Sequence, residues 1–424
     1  GIPHLKELSN TLTESGFNLQ FKSGLLTATE GTGTAGDLLL ETSRLQLSEG
    51  MYVSTGTGDA GKGGNIMVRA SELVEITDSF FVTNALQESS GKAGDFTLQT
   101  QNLSLRQGVL QTVTRGTGAA GNLTVNAAES VELRGSSTRV LGLTGIFATT
   151  VFKDGLGGNI EVNTRRLSVR DGARISNQTG ARLSFGVVSE GGPGGNILLN
   201  ASQIEIEGSS PNGTFKSTVS TTSRSNSAAG NIIVNTENLT IREGGSVRAS
   251  ATNRGAAGFV TINADKLRLI EGGELTAATV EGMGGNINLN TDSLALRRSS
   301  RINTDAENTD GGNIDIRANT IVALGNSDIT ANALEGRGGR VTIVSQAIFG
   351  AQFRSQQTPE SDITATSELG SQFEGTVSID TPEIEPSAGL FDVETKINRQ
   401  PPVVASACDR SVGSEFVISG RENL

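Results

Sequence analysis

Histidine and cysteine, the side chains most often used for proton transfer and nucleophilic attack near neutral pH, each occur once in 424 residues, as His4 and Cys408. A Cys–His couple between sites so far apart has no local support, and a single cysteine forms no internal disulfide. Carboxylates are the remaining chemistry. Asp305, Glu307, Asp310 and Asp315 crowd the segment DAENTDGGNID. Asp305, Glu307 and Asp310 are of the hard-oxygen type that Ca²⁺ prefers. The segment lacks the G-G-x-G-x-D nonapeptide series by which calcium-binding β-rolls hold the ion.

Glycine motifs suggest phosphate chemistry and then withdraw it. GTGTAG at 31–36, GTGDAG at 56–61 and GTGAAG at 116–121 all match G-x-G-x-x-G. A dinucleotide site needs one such loop, between a strand and a helix. Three copies at one phase of a repeat read as turns. Gly56 to Lys62 also reads G-x-x-x-x-G-K, but Gly63 stands where a phosphate loop needs the Ser or Thr that binds magnesium, and a strand pattern follows. No cofactor is expected.

The repeat is the main signal. A glycine before an alternating run recurs at Gly36, Gly64, Gly94, Gly121, Gly158, Gly195, Gly230, Gly258, Gly285, Gly312, Gly339 and Gly375, with a base period of 27 to 28 residues and four longer units. Two and four residues after each anchor the residues are apolar in all twelve units, for example Ile160/Val162 and Ile232/Val234, with a residue between them that is mostly polar. That is the alternation of a strand with one buried face. A second apolar pair follows nine and eleven residues past the anchor, as in Leu167/Val169 and Leu267/Leu269, then often a closing Gly such as Gly172 or Gly272. A third run comes next, such as RISNQ at 174–178 and SVRAS at 246–250.

These units predict an all-β chain: a single right-handed parallel β-helix of about 12–13 coils, each 27–28 residues long with three short strands. At ~4.8 Å per coil the stack would run roughly 55–60 Å. The intervals are too short for the helices of a doubly wound α/β fold, and the period is too short for propeller blades. Asn recurs one and five residues past the anchor, where stacking would set amides into ladders. In this register Asp315 points outward between Asn288 and Thr342, which is no carboxylate pair for acid–base work. The expectation is a non-enzyme.

Composition agrees. Fifty-five glycines, no Trp and 4% aromatics cannot fill a broad globular core, yet 35% hydrophobic residues exceed what a disordered chain carries. A net charge of −11 disfavours nucleic acid and anionic membranes. No run approaches the length of a membrane-spanning helix, and no leader is visible in the first residues. The rod is expected over residues 1–381, with a linker and tail with a terminal strand over 382–424. Side loops are expected near 135–145, 179–194, 208–217 and 350–361. The first three are consecutive and carry or adjoin Phe147, Phe152, Phe185 and Phe215, which makes a candidate lateral binding patch.

The GGNIxVN–LxLxxG–xIxT units, and the ending ACDRSVGSEFVISGR at 407–421, resemble the haemagglutination-activity-domain exoproteins of cyanobacteria, which are filamentous-haemagglutinin-like proteins of the two-partner secretion type. The likeness covers nearly the whole chain. That family's N-terminal secretion domain with its NPNG-type motifs is not found, and Gly420-Arg421 is followed by Glu-Asn-Leu rather than a Gly-Gly-Leu-Pro-Pro run, so the chain looks like a C-terminal rod portion. The resemblance implies export through an Omp85-type outer-membrane transporter. It also implies an extracellular or cell-surface location and a role in adhesion or aggregation, with surface glycans or other cells as partners. A carbohydrate-active β-helix enzyme (a polysaccharide lyase or hydrolase) and a purely structural surface-layer component are the alternatives.

Overall fold

A computed structural model describes residues 23–136, 144–152, 154–180 and 190–382. Its strands form two parallel sheets, one of twelve strands and one of thirteen, and in each sheet a strand pairs with its counterpart one coil away. The register is the one the anchors demand: Ile160 lies against Ile197, Val162 against Leu199, Leu167 against Ile204 and Val169 against Ile206. Those side chains are almost fully buried and belong to one core that runs from Leu47 to Ala365. Burying each Ile or Leu contributes about 1.5–3 kcal/mol, and only the neighbouring coils supply the cover.

The anchor glycines are there for backbone clearance. A Cβ on Gly94 would stand 1.7 Å from the carbonyl oxygen of Gly64, and one on Gly230 1.8 Å from that of Gly195. The same holds up the column to Gly375, where a Cβ would be 1.8 Å from the Gly339 oxygen. A second column lies three residues earlier, in which Gly91 faces the Gly61 oxygen and Gly118 the Gly91 oxygen. The G-x-G-x-x-G runs are therefore stacking columns. They do not share one phase: those ending at Gly36 and Gly121 finish on the anchor column, whereas the run at 56–61 finishes on the earlier one.

The coil has two strands rather than the expected three. The first two apolar runs belong to one continuous strand of ten to twelve residues in every coil but the last, as in Ile160–Arg170 and Ile232–Arg242. What looked like a break is a corner. The inward face shifts phase by one residue there, so two polar residues in succession point outward, such as Arg165 and Arg166. The pairing ladder skips one residue there, Arg165 opposite Ser202, and resumes in the same register, and no residue at the corner adopts positive φ. In two coils the corner holds an extra residue, which puts the second inward pair at Val74/Ile76 and Val131/Leu133 and shifts the register. The expected third run forms the short sheet, for example Arg174–Thr179 and Ser246–Ala251. On the remaining side the turns also stack, joined by bonds such as Ala120 N–H to the Leu156 carbonyl at 2.8 Å and Ala229 N–H to that of Ala256 at 2.9 Å.

One residue past the anchor, side-chain oxygens bind the next coil. Asn122 Oδ1 accepts the Asn159 N–H at 2.9 Å, Asn159 that of Asn196 at 2.8 Å, and Asn196 that of Asn231 at 2.8 Å. Asp37 and Asp95 do the same work in their coils. The row breaks at Phe259, whose 46% exposed side chain has no acceptor, and resumes where Asn286 Oδ1 accepts the Asn313 N–H at 2.9 Å.

Candidate functional site

The corner produces a long, open concavity. Its inward column alternates hydroxyl and methyl, coil by coil: Thr42, Ala70, Thr100, Ala127, Thr164, Ala201, Thr236, Ala264, Thr291, Ala318, Ser345. Every hydroxyl in this column donates to the carbonyl two residues on, as Thr236 does to Asn238 at 3.2 Å and Thr291 to Ser293 at 3.1 Å. Thr291 Oγ1 also lies 3.0 Å from the Asp265 carbonyl of the preceding coil. Outward rows on either side of the column make an open groove of about 940 Å³ over the C-terminal coils. One bank is an amide ladder. Asn163, Asn200, Asn235, Asn263 and Asn290 each donate to the preceding Asn Oδ1 at 2.8–3.0 Å, beginning at Asn126. The other bank carries Asp265, Asp292 and Asn319, with Asn319 Nδ2 on Asp292 Oδ1 at 3.2 Å.

The acidic segment is spread around the coil. Asp305 is part-buried; its Oδ1 accepts the Asn332 N–H at 2.8 Å and its Oδ2 the Thr330 hydroxyl at 2.9 Å. Asp310 Oδ1 accepts the Arg337 N–H at 2.7 Å. Glu307 is exposed. Among the described residues no group of three or more His, Cys, Asp or Glu is placed to hold a metal ion. Asp315 lies between Asn288 and Thr342, with Arg340 3.6 Å from its carboxylate.

Two carboxyls the sequence did not single out are more deeply set. Asp328 and Asp362 are 3% and 0% exposed and stack one coil apart at the edge of the short sheet. Asp328 Oδ1 accepts the Asp362 N–H at 3.1 Å, and Asp362 pairs with Arg354. Burial raises the pKa of Asp328, and so does the Asp362 charge, while the Asp362 N–H and Arg301 oppose them. Burial likewise raises Asp305 against the Asn332 and Thr330 hydrogen bonds. Arg354 belongs to the insertion near 350–361, which adds Gln352–Phe353 to the short sheet.

Three of the four phenylalanines of the expected loop patch are described, and they occupy different settings. Phe147 sits mid-strand in Gly145–Thr150 and is buried in a satellite cluster with Tyr52, Phe80, Val82, Val109 and Val113. The strand starts where a loop was expected to end, so Phe147 packs on the outer face of the short sheet. Phe152 is part-buried at φ 78° and bridges Glu190. Phe185, with most of the expected 135–145 and 179–194 loops, lies outside the described residues, as does the tail from 383. Phe215, in a small hairpin closed by Ser209 and Lys216, lies under the Arg174 guanidinium, 4.8 Å from ring centre to Cζ.

Arg174 heads a cluster that sequence reading passed over. The outward residues of the short sheet change from apolar (Tyr52, Phe80, Val109, Phe147) to polar and cationic in the three coils from Arg174 to Arg248, before Glu274 brings in a carboxylate. Arg174, Lys216, Arg224 and Arg248 surround a pocket of about 250 Å³ with hydroxyls between them. The register would have revealed it, because Arg174, Thr218 and Ser246 share one row.

No family model and no curated protein matches the chain. Among solved structures, the HMW1 secretion domain from Haemophilus influenzae aligns with 82% of this chain and 94% of that one, at 15% identity and a TM-score of 0.39. The parallel β-helix here rests on the strand register itself.

Proposed function

We propose that the chain is a non-catalytic, secreted or surface-attached β-helical rod that mediates adhesion or aggregation, exported through an Omp85-type outer-membrane transporter. The observation that carries the reading is the continuity of the axial columns. Strand pairing passes from coil to coil over residues 38–380, with an aliphatic core from Leu47 to Ala365 and an amide ladder from Asn126 to Asn290, so the fold is a scaffold with repeating outer rows. The repeat and the 407–421 ending, which resemble two-partner exoproteins, support the export route. Among the described residues no helix is long and apolar enough to cross a membrane. Asp315, the outward carboxylate of the acidic segment, has Asn and Thr as stacked neighbours.

Two measurements test the proposal. Beads coated with the chain should retain bacterial or host cells above uncoated beads, and soluble chain should compete. Incubation with neutral and acidic polysaccharides should yield no new reducing or unsaturated ends. Turnover that disappears in Asp315→Asn would replace the rod with an enzyme.

A further inference from the structure

The cationic pocket on the short sheet is a site of its own. Its lining carries four cations and no carboxylate, in a chain of net charge −11. Arg174 is part-buried and makes no ion pair among the described residues; its Nε is buried without a hydrogen-bond partner, and its guanidinium lies over the Phe215 ring. Lys216 makes no ion pair among the described residues. Arg248 has one carboxylate, Glu274, at 3.4 Å, and its Nε is also buried without a partner. Burial, then the charge of Arg224, lowers the Arg174 pKa. A guanidinium withdrawn from water without an anion is unfavourable, so the arrangement is complete only when an oxyanion arrives. Guanidinium forks suit carboxylate and sulfate, which they bind bidentately.

Between the cations lie hydroxyl rungs: Ser176 to Ser220 and Ser246 to Thr218, each at 3.0 Å. They offer donors and acceptors to a hydroxylated ligand. The pocket has about the room of one sugar ring. Phe215 gives one face to Arg174, and no aromatic ring lines the pocket to stack a nucleobase. No apolar side chain lines the pocket to enter a lipid layer.

We infer that Arg174, Lys216 and Arg248 form a binding site for an acidic polysaccharide, engaging a carboxylate or sulfate on one sugar while the Ser and Thr rungs meet its hydroxyls. This names a ligand class for the adhesive rod and rests on that reading only for its biological use. The test is retention of the full chain on immobilised polygalacturonate, dextran sulfate, neutral dextran and single-stranded DNA at low salt.

Expected is retention on one or both acidic polysaccharides and none on dextran. Arg174→Gln should weaken binding at least about tenfold and the exposed Lys216→Gln about threefold. Arg268→Gln, on the long sheet, should change nothing. Unaltered circular dichroism keeps the comparison fair, and Lys216→Gln decides should Arg174→Gln misfold. The inference fails if neither acidic polysaccharide is retained, if Arg268→Gln weakens binding as much, or if DNA binds as tightly through the same residues. Cells that attach equally well through Arg174→Gln would sink the site's part in adhesion while leaving both adhesion and polysaccharide binding intact. Polysaccharide binding without any cell attachment would sink the adhesive reading alone.

Discussion

At the scale of the residue, small polar side chains do the axial stitching. Asn200 donates to Asn163 and accepts from Asn235, so Asn200→Ala removes two amide bonds at once. At about 1 kcal/mol each for part-exposed bonds, a loss of ~1–2 kcal/mol is expected, read as a lower urea midpoint. Buried acids act in the opposite sense to surface pairs. Asp305 and Asp328 have folded-state pKa values above the ordinary carboxylate range. Each therefore binds protons more readily folded than unfolded. Its contribution is complete below the unfolded value of ~3.9 and is lost as pH rises through the raised folded value. Relative to an Asp305→Asn/Asp328→Asn double variant, the wild-type chain should gain stability on acidification across that window. Parallel pH profiles of the two proteins would refute this.

At the scale of the element, the join between long and short strands is a left-handed pair. Gly50, Gly172, Gly244 and Gly272, fourteen residues past their anchors, have φ between 75° and 87°. The same place in the coil that starts at Gly285 is Ser299, at φ 60°, after Arg298 at φ 56°. An L-residue there costs about 1–2 kcal/mol, so Ser299→Gly should stabilise by ~0.5–1 kcal/mol once chain entropy is subtracted, seen as a raised thermal midpoint.

Most of this element logic was legible in sequence. Anchor glycines and apolar pairs fix strand identity and pairing, because their spacing is the coil length. The number of strands per coil was not, because outward residues at a corner, such as Arg165 and Arg166, look like a turn when only polarity is read. The cationic pocket was hidden for a different reason. Arg174 and Lys216 lie 42 residues apart across an insertion, so no window of sequence shows them together until the register is applied. Phe147 shows the converse error, a strand residue read as part of a neighbouring loop.

At the scale of the whole stack, coils are exchangeable units held by nearest neighbours. Deleting residues 258–284 removes one coil of 27 residues and brings Gly285 over Gly230 and Asn290 over Asn235. That protein should keep a β-type circular dichroism spectrum and a sharp unfolding transition. Deleting only 258–270 removes a long strand but leaves its short partner without a coil, and should abolish the transition.

The alternating corner column adds a subtler grammar. Threonine and alanine take turns there, so in this one column the repeat is two coils rather than one. Shortening by 230–284 takes out a full hydroxyl–methyl doublet and leaves the cadence intact, whereas taking out 258–284 sets Thr236 directly under Thr291. Chains lengthened in doublets should therefore outlast those lengthened by odd numbers.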